Sequence, residues 1–470
     1  MSEDRLRYER KLVWDSLAKK EERKEVFDFA DGYRQFLSAV KTERETVNWT
    51  KKTAETKGFR PLFPSSPLVG EGRGEGGKLY LPNRSYGFGL VVLGKKPLSE
   101  GFRLIVSHID SPHLDLKPQP LIEEEALGFL KTHYYGGIKK YHWVANPLSL
   151  HGVIILKDGT KKEILVGEKE SEPVLTITDL LPHLAKEQME KKMSEAIQGE
   201  SLNLLIGSLP VPKKKEDDNK KEATRVKGAL LKLLYATYGI TEEDLVSAEV
   251  QAVPAGTAKD LGLDRSLILG YGQDDRICVY TSLQALFQIK QPEYTAVCLL
   301  VDREEIGSEG VASAKSTFLR YFLGRSSGLG EAQMNESFAK SYAISGDVNA
   351  GLDPAYKDVS ESQNAPRLGY GTVLTKFTGH GGKFSSSEVS AEYVAYLRRL
   401  FEKHKVFWQT GELGRIDKGG GGTVAKYLAQ QNLETIDIGP ALLSMHAPYE
   451  VSHKADIYST YRAYLAFYRS

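Results

Sequence analysis

The chain has 470 residues, with 63 Lys and Arg against 62 Asp and Glu, a net charge of +1, 41% hydrophobic residues and 27% charged ones. So even a balance excludes the broad basic field that recruits nucleic acid or an acidic membrane surface, and no stretch approaches the ~20 apolar residues of a membrane span. Two cysteines, Cys278 and Cys298, are too few for a disulfide framework and fit a reducing compartment. The opening residues are charged and lack a signal-peptide core. A soluble cytoplasmic protein of two or three domains, at about 150 residues each, is the expectation.

In chain order, the first 60 residues read as helical, with Phe27, Phe29, Tyr33, Phe36 and Leu37 recurring at three- and four-residue steps. A Gly/Ser/Pro-rich loop over 64–77 precedes strand-like runs at 89–93 and 102–107. From 115 to 250 the character changes: short β-like segments at 152–156 and 162–166, a helix-like run at 180–197, and a charged tract at 211–222 too polar to pack. This stretch reads as a β-rich domain inserted between catalytic parts at 1–114 and 251–470. Beyond 267, helical patterns at 276–289, 389–401, 423–431 and 454–468 alternate with apolar strands at 295–301, 341–345 and 433–438. That alternation predicts the α/β class, a sheet covered by helices.

Acidic and histidine-bearing motifs sit at or just past the strand-like runs: Ser107-His108-Ile109-Asp110, Gln273-Asp274-Asp275-Arg276, Asp302-Arg303-Glu304-Glu305-Ile306-Gly307, Ser345-Gly346-Asp347 and Met445-His446. In an open α/β sheet, ligands gather at the carboxyl ends of strands. Carboxylates and imidazoles without cysteine suit zinc, manganese or cobalt. A hydrolase using two cations needs a bridging carboxylate, further ligands for each ion and a general base. The Asp-Asp pair can supply the bridge, and adjacent glutamates can divide the roles of ligand and base. Asp110, two residues after His108, can accept the second ring N–H of that histidine and fix its tautomer. Singly, each motif has a plainer reading: Asp-Asp as a cap or turn, Glu-Glu as a solvated loop, His446 as a satisfied core histidine. Together, in strand context, they point to one site.

These residues, with His108-Ile-Asp-Ser-Pro-His113 and Asp302-Arg-Glu-Glu-Ile-Gly-Ser308, resemble the aspartyl aminopeptidase family of di-zinc aminopeptidases, which includes vacuolar aminopeptidase I. The resemblance spans nearly the whole chain. It implies a two-metal aminopeptidase fold of the phosphorylase/hydrolase-like kind, with Asp274 bridging two divalent ions, zinc in the family. His108 and Asp347 would complete one position, Glu305 and His446 the other, with Glu304 as the base and a cis peptide after Asp274. It further implies a closed homo-dodecamer of tetrahedral symmetry, with the insert as dimerisation domain and short peptides as substrates. Lys376 matches the neighbourhood of a lysine that faces acidic side chains in aspartyl-specific members. An insert histidine that reaches a neighbouring site in the family corresponds to His142 or to His183.

The chain departs from the family in three places. Asp275 stands where asparagine is common, Lys186-Glu187-Gln188 follows Leu184-Ala185 without the expected histidine, and Asp417-Lys-Gly-Gly-Gly-Gly-Thr423 lacks cysteine. The Gly419–Gly422 run lacks a P-loop's Gly-Lys-Ser/Thr ending, so close packing or backbone approach to a peptide is expected rather than phosphate binding. The exposed-looking aromatics Tyr134-Tyr135 and Tyr141-His142-Trp143 mark subunit contacts or, alternatively, the insert's own core. Two rival functions stay open: a two-metal deacylase or carboxypeptidase-like hydrolase, and a self-assembling shell with a relict site.

Overall fold

The computed structural model describes residues 8–17, 19–62, 77–212 and 224–470. Most of the Gly/Ser/Pro-rich loop and of the charged tract, Lys213, Lys214 and Lys215 included, lies outside them. The described chain forms two compact units, one of residues 1–111, 258–445 and 450–470, the other of residues 112–257 and 446–449.

In the first unit a nine-stranded sheet runs in the order Arg60–Pro61, Lys78–Asn83, Gly87–Val92, Thr295–Val301, Phe102–His108, Tyr342–Ser345, Glu434–Gly439, Thr372–Thr375, Trp408–Thr410. The four strands from Thr295–Val301 to Glu434–Gly439 are mutually parallel, so their carboxyl ends share one edge. Thr295–Val301 and Phe102–His108 are buried at every position, as expected of parallel strands covered on both faces. Their side chains alternate between two cores. Ile105, Ala296, Cys298 and Leu300 face the cluster built on the helices Gln273–Phe287 and Lys454–Tyr468. Leu104, Val106, Val297, Leu299 and Val301 face a second cluster with Phe318, Phe322 and Phe338. A five-stranded sheet, Lys259–Leu261, Leu267–Gly270, Glu450–His453, Ala441–Leu443, Asn349–Ala350, lies in the same unit.

The helix Lys20–Ala39 buries Val26, Ala30, Tyr33 and Leu37, one stripe at helical spacing. The next helix, Glu43–Thr56, opens on a reciprocal cap: Glu45 N–H donates to Thr42 Oγ1 at 3.3 Å, and Thr42 N–H to Glu45 Oε2 at 3.1 Å. Near the carboxyl end of the fold, His453 is buried and accepts from Trp14 Nε1 at 3.2 Å. Burial pulls its pKa down to about 4, against a smaller opposing pull from Asp264. Unfolded, the ring takes a proton below about pH 6.5. Between those values the unfolded chain binds more protons, so stability falls as the pH drops. A shift of that size is worth roughly 3 kcal/mol when complete. Urea midpoints at pH 7.5 and 5 therefore diverge in the native chain and converge in His453→Gln; equal divergence in both would exclude this ring as the cause.

The second unit is a six-stranded antiparallel sheet in the order Lys161–Val166, Leu148–Ile155, Ala248–Pro254, His113–Glu124, Leu127–Tyr135, Leu204–Gly207. Its limits, Pro112 and Thr257, stand against the 115 and 250 read from the sequence. It also gathers His446–Tyr449, which the sequence reading leaves in the catalytic part: His446 Nδ1 lies 2.9 Å from Gly137 O, and Tyr449 OH donates to Ala255 O at 3.4 Å. The helix-like run at 180–197 is not one helix. Leu181 and Lys192 are extended at ψ 150 and 144, splitting the run into one-turn pieces, and Leu184, Met189 and Met193 are exposed. The aromatics divide between the two readings: Trp143 is fully buried, whereas Tyr134 is 40% exposed. Tyr135 stacks on His113 at 4.4 Å between centroids.

Candidate active site

Three loops leaving the shared edge of the first unit deliver the chemistry. His108 ends its strand and is paired in register with Val301, the last residue of the neighbouring strand. Three residues further, Glu304–Ile306 makes a single tight turn, bracketed by left-handed Arg303 (φ 67) and Gly307 (φ 91). In so tight a turn adjacent side chains diverge, so Glu304 and Glu305 face different directions. On the other side of the His108 strand, Tyr342–Ser345 leads to Asp347. Asp274 and Asp275 open the helix Gln273–Phe287 with non-helical dihedrals, and the peptide joining them is cis, as the resemblance implies.

The side chains converge. His108 Nε2 lies 3.1 Å from Asp274 Oδ1. Potential ligand atoms of His108, Asp274 and Glu305 fall within 4.8 Å of one another, and so do those of Asp274, Asp275 and Asp347. Asp274 is common to both groups. His108 and Glu305 meet Asp274 in the first group, and Asp275 and Asp347 meet it in the second; the strands leading to Glu305 and to Asp347 flank the His108 strand on either side.

Asp110 ties the arrangement together. Its carbonyl faces His108 Nδ1 at 3.0 Å, with its carboxylate 3.4 Å from the same nitrogen. The two carboxylate oxygens accept the backbone N–H groups of Glu304 and Glu305 at 3.2 and 3.1 Å. One buried side chain thus sets both the histidine and the glutamate turn.

Sequence reasoning missed two further supports. The buried Glu450 carboxylate accepts from Gln273 N–H at 2.6 Å and Asp274 N–H at 3.1 Å, and Ser111 Oγ donates to Asp274 O at 2.6 Å. Ser111 lies inside a motif already marked, so adjacency was an available signal; nothing local marks Glu450.

Electrostatics fit the site to cations. Asp275 is fully buried, and neither of its oxygens has a hydrogen-bonding partner of ordinary geometry. Burial, then the charges of Asp347 and Asp274, hold it well above the usual carboxylate range. Asp347 is raised likewise, by burial and then by Asp274, Glu304 and Asp437. Burial opposes charge on the His108 ring, but Asp110 and Asp274 outweigh it and raise its pKa. Carboxylates so crowded and dry need a counter-charge, and an all-oxygen-and-nitrogen donor set suits a divalent ion such as zinc.

The other predicted residues are not members of these two groups. Lys376 is exposed, directly after the strand Thr372–Thr375, which runs antiparallel to its neighbour Glu434–Gly439. His142 and His183 lie in short turns of the second unit, His142 with its ring against Tyr141 at 4.3 Å and His183 exposed. His446 belongs to that unit too. The glycine run forms no phosphate cradle: Gly420–Gly421 pairs as a strand with Gly379–His380, and a Cβ on Gly420 would meet Gly379 O at 2.3 Å.

Comparison with known proteins agrees with this chemistry. Residues 36–468 match the model of the family described as aminopeptidase I zinc metalloprotease (M18). A probable M18 family aminopeptidase 1 of Clostridium acetobutylicum is 47% identical over 463 residues, covering 98% of each chain. The crystal structure of an M18 aminopeptidase from Thermotoga maritima superposes with a TM-score of 0.91 at 45% identity, covering 98% of this chain and 99% of that one. The S. cerevisiae mApe1 dodecamer shares the fold, with a TM-score of 0.74 at 22% identity over 94% of this chain and 96% of that one. The chain belongs to the M18 family of aminopeptidase I zinc metalloproteases. It is a metallo-aminopeptidase, a hydrolase that removes N-terminal residues from peptides. No helix among the described residues is long and apolar enough to cross a membrane.

Proposed function

We propose that the site holds two zinc ions around Asp274, with His108, Glu305, Asp347 and His446 as further ligands and Glu304 as the general base. The observation that carries this reading is the membership of Asp274 in both groups of converging ligand atoms. Asp275, grouped with Asp274 and Asp347, is an added candidate for the second position. Bound zinc supplies Lewis acidity, which polarises a carbonyl and brings the pKa of water near neutrality. Glu304 takes the proton of the attacking water and passes it to the leaving amine. Asp110 is a positioning residue: it orients His108 and pins the turn that aims Glu304. The dense carboxylate set also favours a substrate bearing a free ammonium group over an N-acylated one.

Assembly belongs to the same proposal. The exposed Leu184, Met189 and Met193 of the second unit suit a subunit interface; the yeast neighbour is a dodecamer, and a dodecamer of this chain closed around its sites would admit short peptides. His142 or His183 would then serve an adjacent subunit, and Lys376 would face the substrate side chain. The buried free cysteines fit a cytoplasmic location.

One preparation tests the proposal. Expected are two metal ions per chain, turnover of aminoacyl substrates but not of their N-acetyl analogues, and a light-scattering mass of twelve chains. One ion per chain would defeat the two-metal reading, preference for N-acyl substrates would favour a deacylase, and a fully active monomer would remove the assembly.

A further inference from the structure

Beside the glutamate turn, the first unit has a cavity of ≈ 580 Å³ lined by Lys315, Ser385, Ser386, Lys426 and Tyr427, with Ala429 and Gln430. None of the ligand candidates lines it. We propose that it is a carboxylate-binding pocket for the peptide substrate, with Lys426 as its recognition group. The proposal rests on the aminopeptidase reading and deepens it.

The first support is charge. Lys315 and Lys426 both stand against the Tyr427 ring, their ammonium nitrogens 5.1 and 4.8 Å from its centroid. Lys315 is engaged by Glu309. Lys426 has no ion-pair partner among the described residues and is half-buried, with its stem along the tyrosine. With Lys315 paired, Lys426 is the lysine of this lining that lacks a carboxylate partner among the described residues, and an anion entering the pocket would supply one.

The second support is the opposite wall. Ser385 is left-handed at φ 60, a conformation that a non-glycine residue adopts at an energetic cost. Its hydroxyl makes no hydrogen bond within the described chain, whereas Ser386 Oγ is already engaged by Thr378 N–H at 3.2 Å and Ser387 O at 3.0 Å. Backbone strain of this kind clusters at ligand clamps, and here it places an exposed hydroxyl on the wall that Lys315 and Lys426 share.

The third support is connection to the chemistry. Tyr427, the ring that both lysines share, donates its hydroxyl to Gly307 O at 3.3 Å. Gly307 ends the Glu304–Ile306 turn. The pocket wall and the turn that aims Glu304 are therefore one hydrogen-bonded piece. The acidic centre attracts the ammonium end of a peptide and the lysine pocket attracts a carboxylate, so the two together are complementary to a short zwitterion.

That carboxylate has two sources, an acidic N-terminal side chain or the free carboxyl end of a short peptide, and the test separates them. Steady-state kinetics on the metal-loaded enzyme compare two substrate pairs: one tripeptide as free acid and as C-terminal amide, and one amide with N-terminal Asp or Asn. Lys426→Met should raise KM by about tenfold for the charged member of one pair. It should leave kcat, and both constants for the neutral partner, within about twofold; Lys426→Arg should restore the native value. The pair that responds identifies the source. Equal effects on charged and neutral members, or none on either pair, would overturn the pocket while the aminopeptidase reading stood. Failure of the native enzyme on every substrate would instead overturn that reading.

Discussion

Glu304→Gln should remove turnover while leaving the metal content at the native level. The turn that carries Glu304 is fixed by backbone hydrogen bonds to Asp110, which the substitution leaves intact. Glutamine keeps the volume and loses the basicity. General-base catalysis is worth about 10²–10⁴-fold, so kcat should fall by roughly a thousandfold. Elemental analysis and circular dichroism on the same sample would establish that neither the metals nor the fold changed. A variant retaining most of its activity would reassign the base; a variant that loses metal would make Glu304 a ligand.

Asp274→Ala should behave in the opposite way, with both ions lost together rather than one. Its ligand atoms converge with His108 and Glu305 on one side and with Asp275 and Asp347 on the other. In the proposed site, removing a shared ligand would weaken both positions at once. Asp347→Ala should by contrast weaken one position more than the other. Metal titration followed by calorimetry reads the difference: one step of much reduced affinity in Asp347→Ala, and no tight step in Asp274→Ala. A purified Asp274→Ala holding two ions per chain would exclude the bridging role.

The sequence made the candidate site legible where an apolar run ended in a charged or imidazole-bearing group. His108, Glu304, Glu305 and Asp347 each follow a strand whose burial is written in consecutive hydrophobic residues, and the strands do end on one edge. The order of those strands was not legible. Thr295–Val301 lies beside Phe102–His108 across nearly two hundred residues of chain, and no local pattern encodes such a pairing. Glu450 was invisible for the same reason: its contact with Gln273 and Asp274 spans the second half of the chain. Periodicity misled at 180–197, where apolar residues at helical spacing stay exposed and the chain turns extended at Leu181 and Lys192. Spacing predicts which face a helix would bury, but it does not ensure that a surface exists to bury it.

The glycine ribbon has a consequence for variation among substrate preferences. Gly420 and Gly379 approach so closely that any side chain on Gly420 would strike the facing carbonyl, and both glycines hold positive φ. This crossing anchors the hairpin whose returning arm carries Ser385 and Ser386. Sequence change is thus forbidden at the crossing and permitted on the pocket wall beyond it. A chain under selection for a new peptide could alter residue 385 or 426 in single steps, while an exchange at 420 would displace the entire wall. The ribbon acts as a fixed hub on which recognition can drift without loss of the catalytic frame.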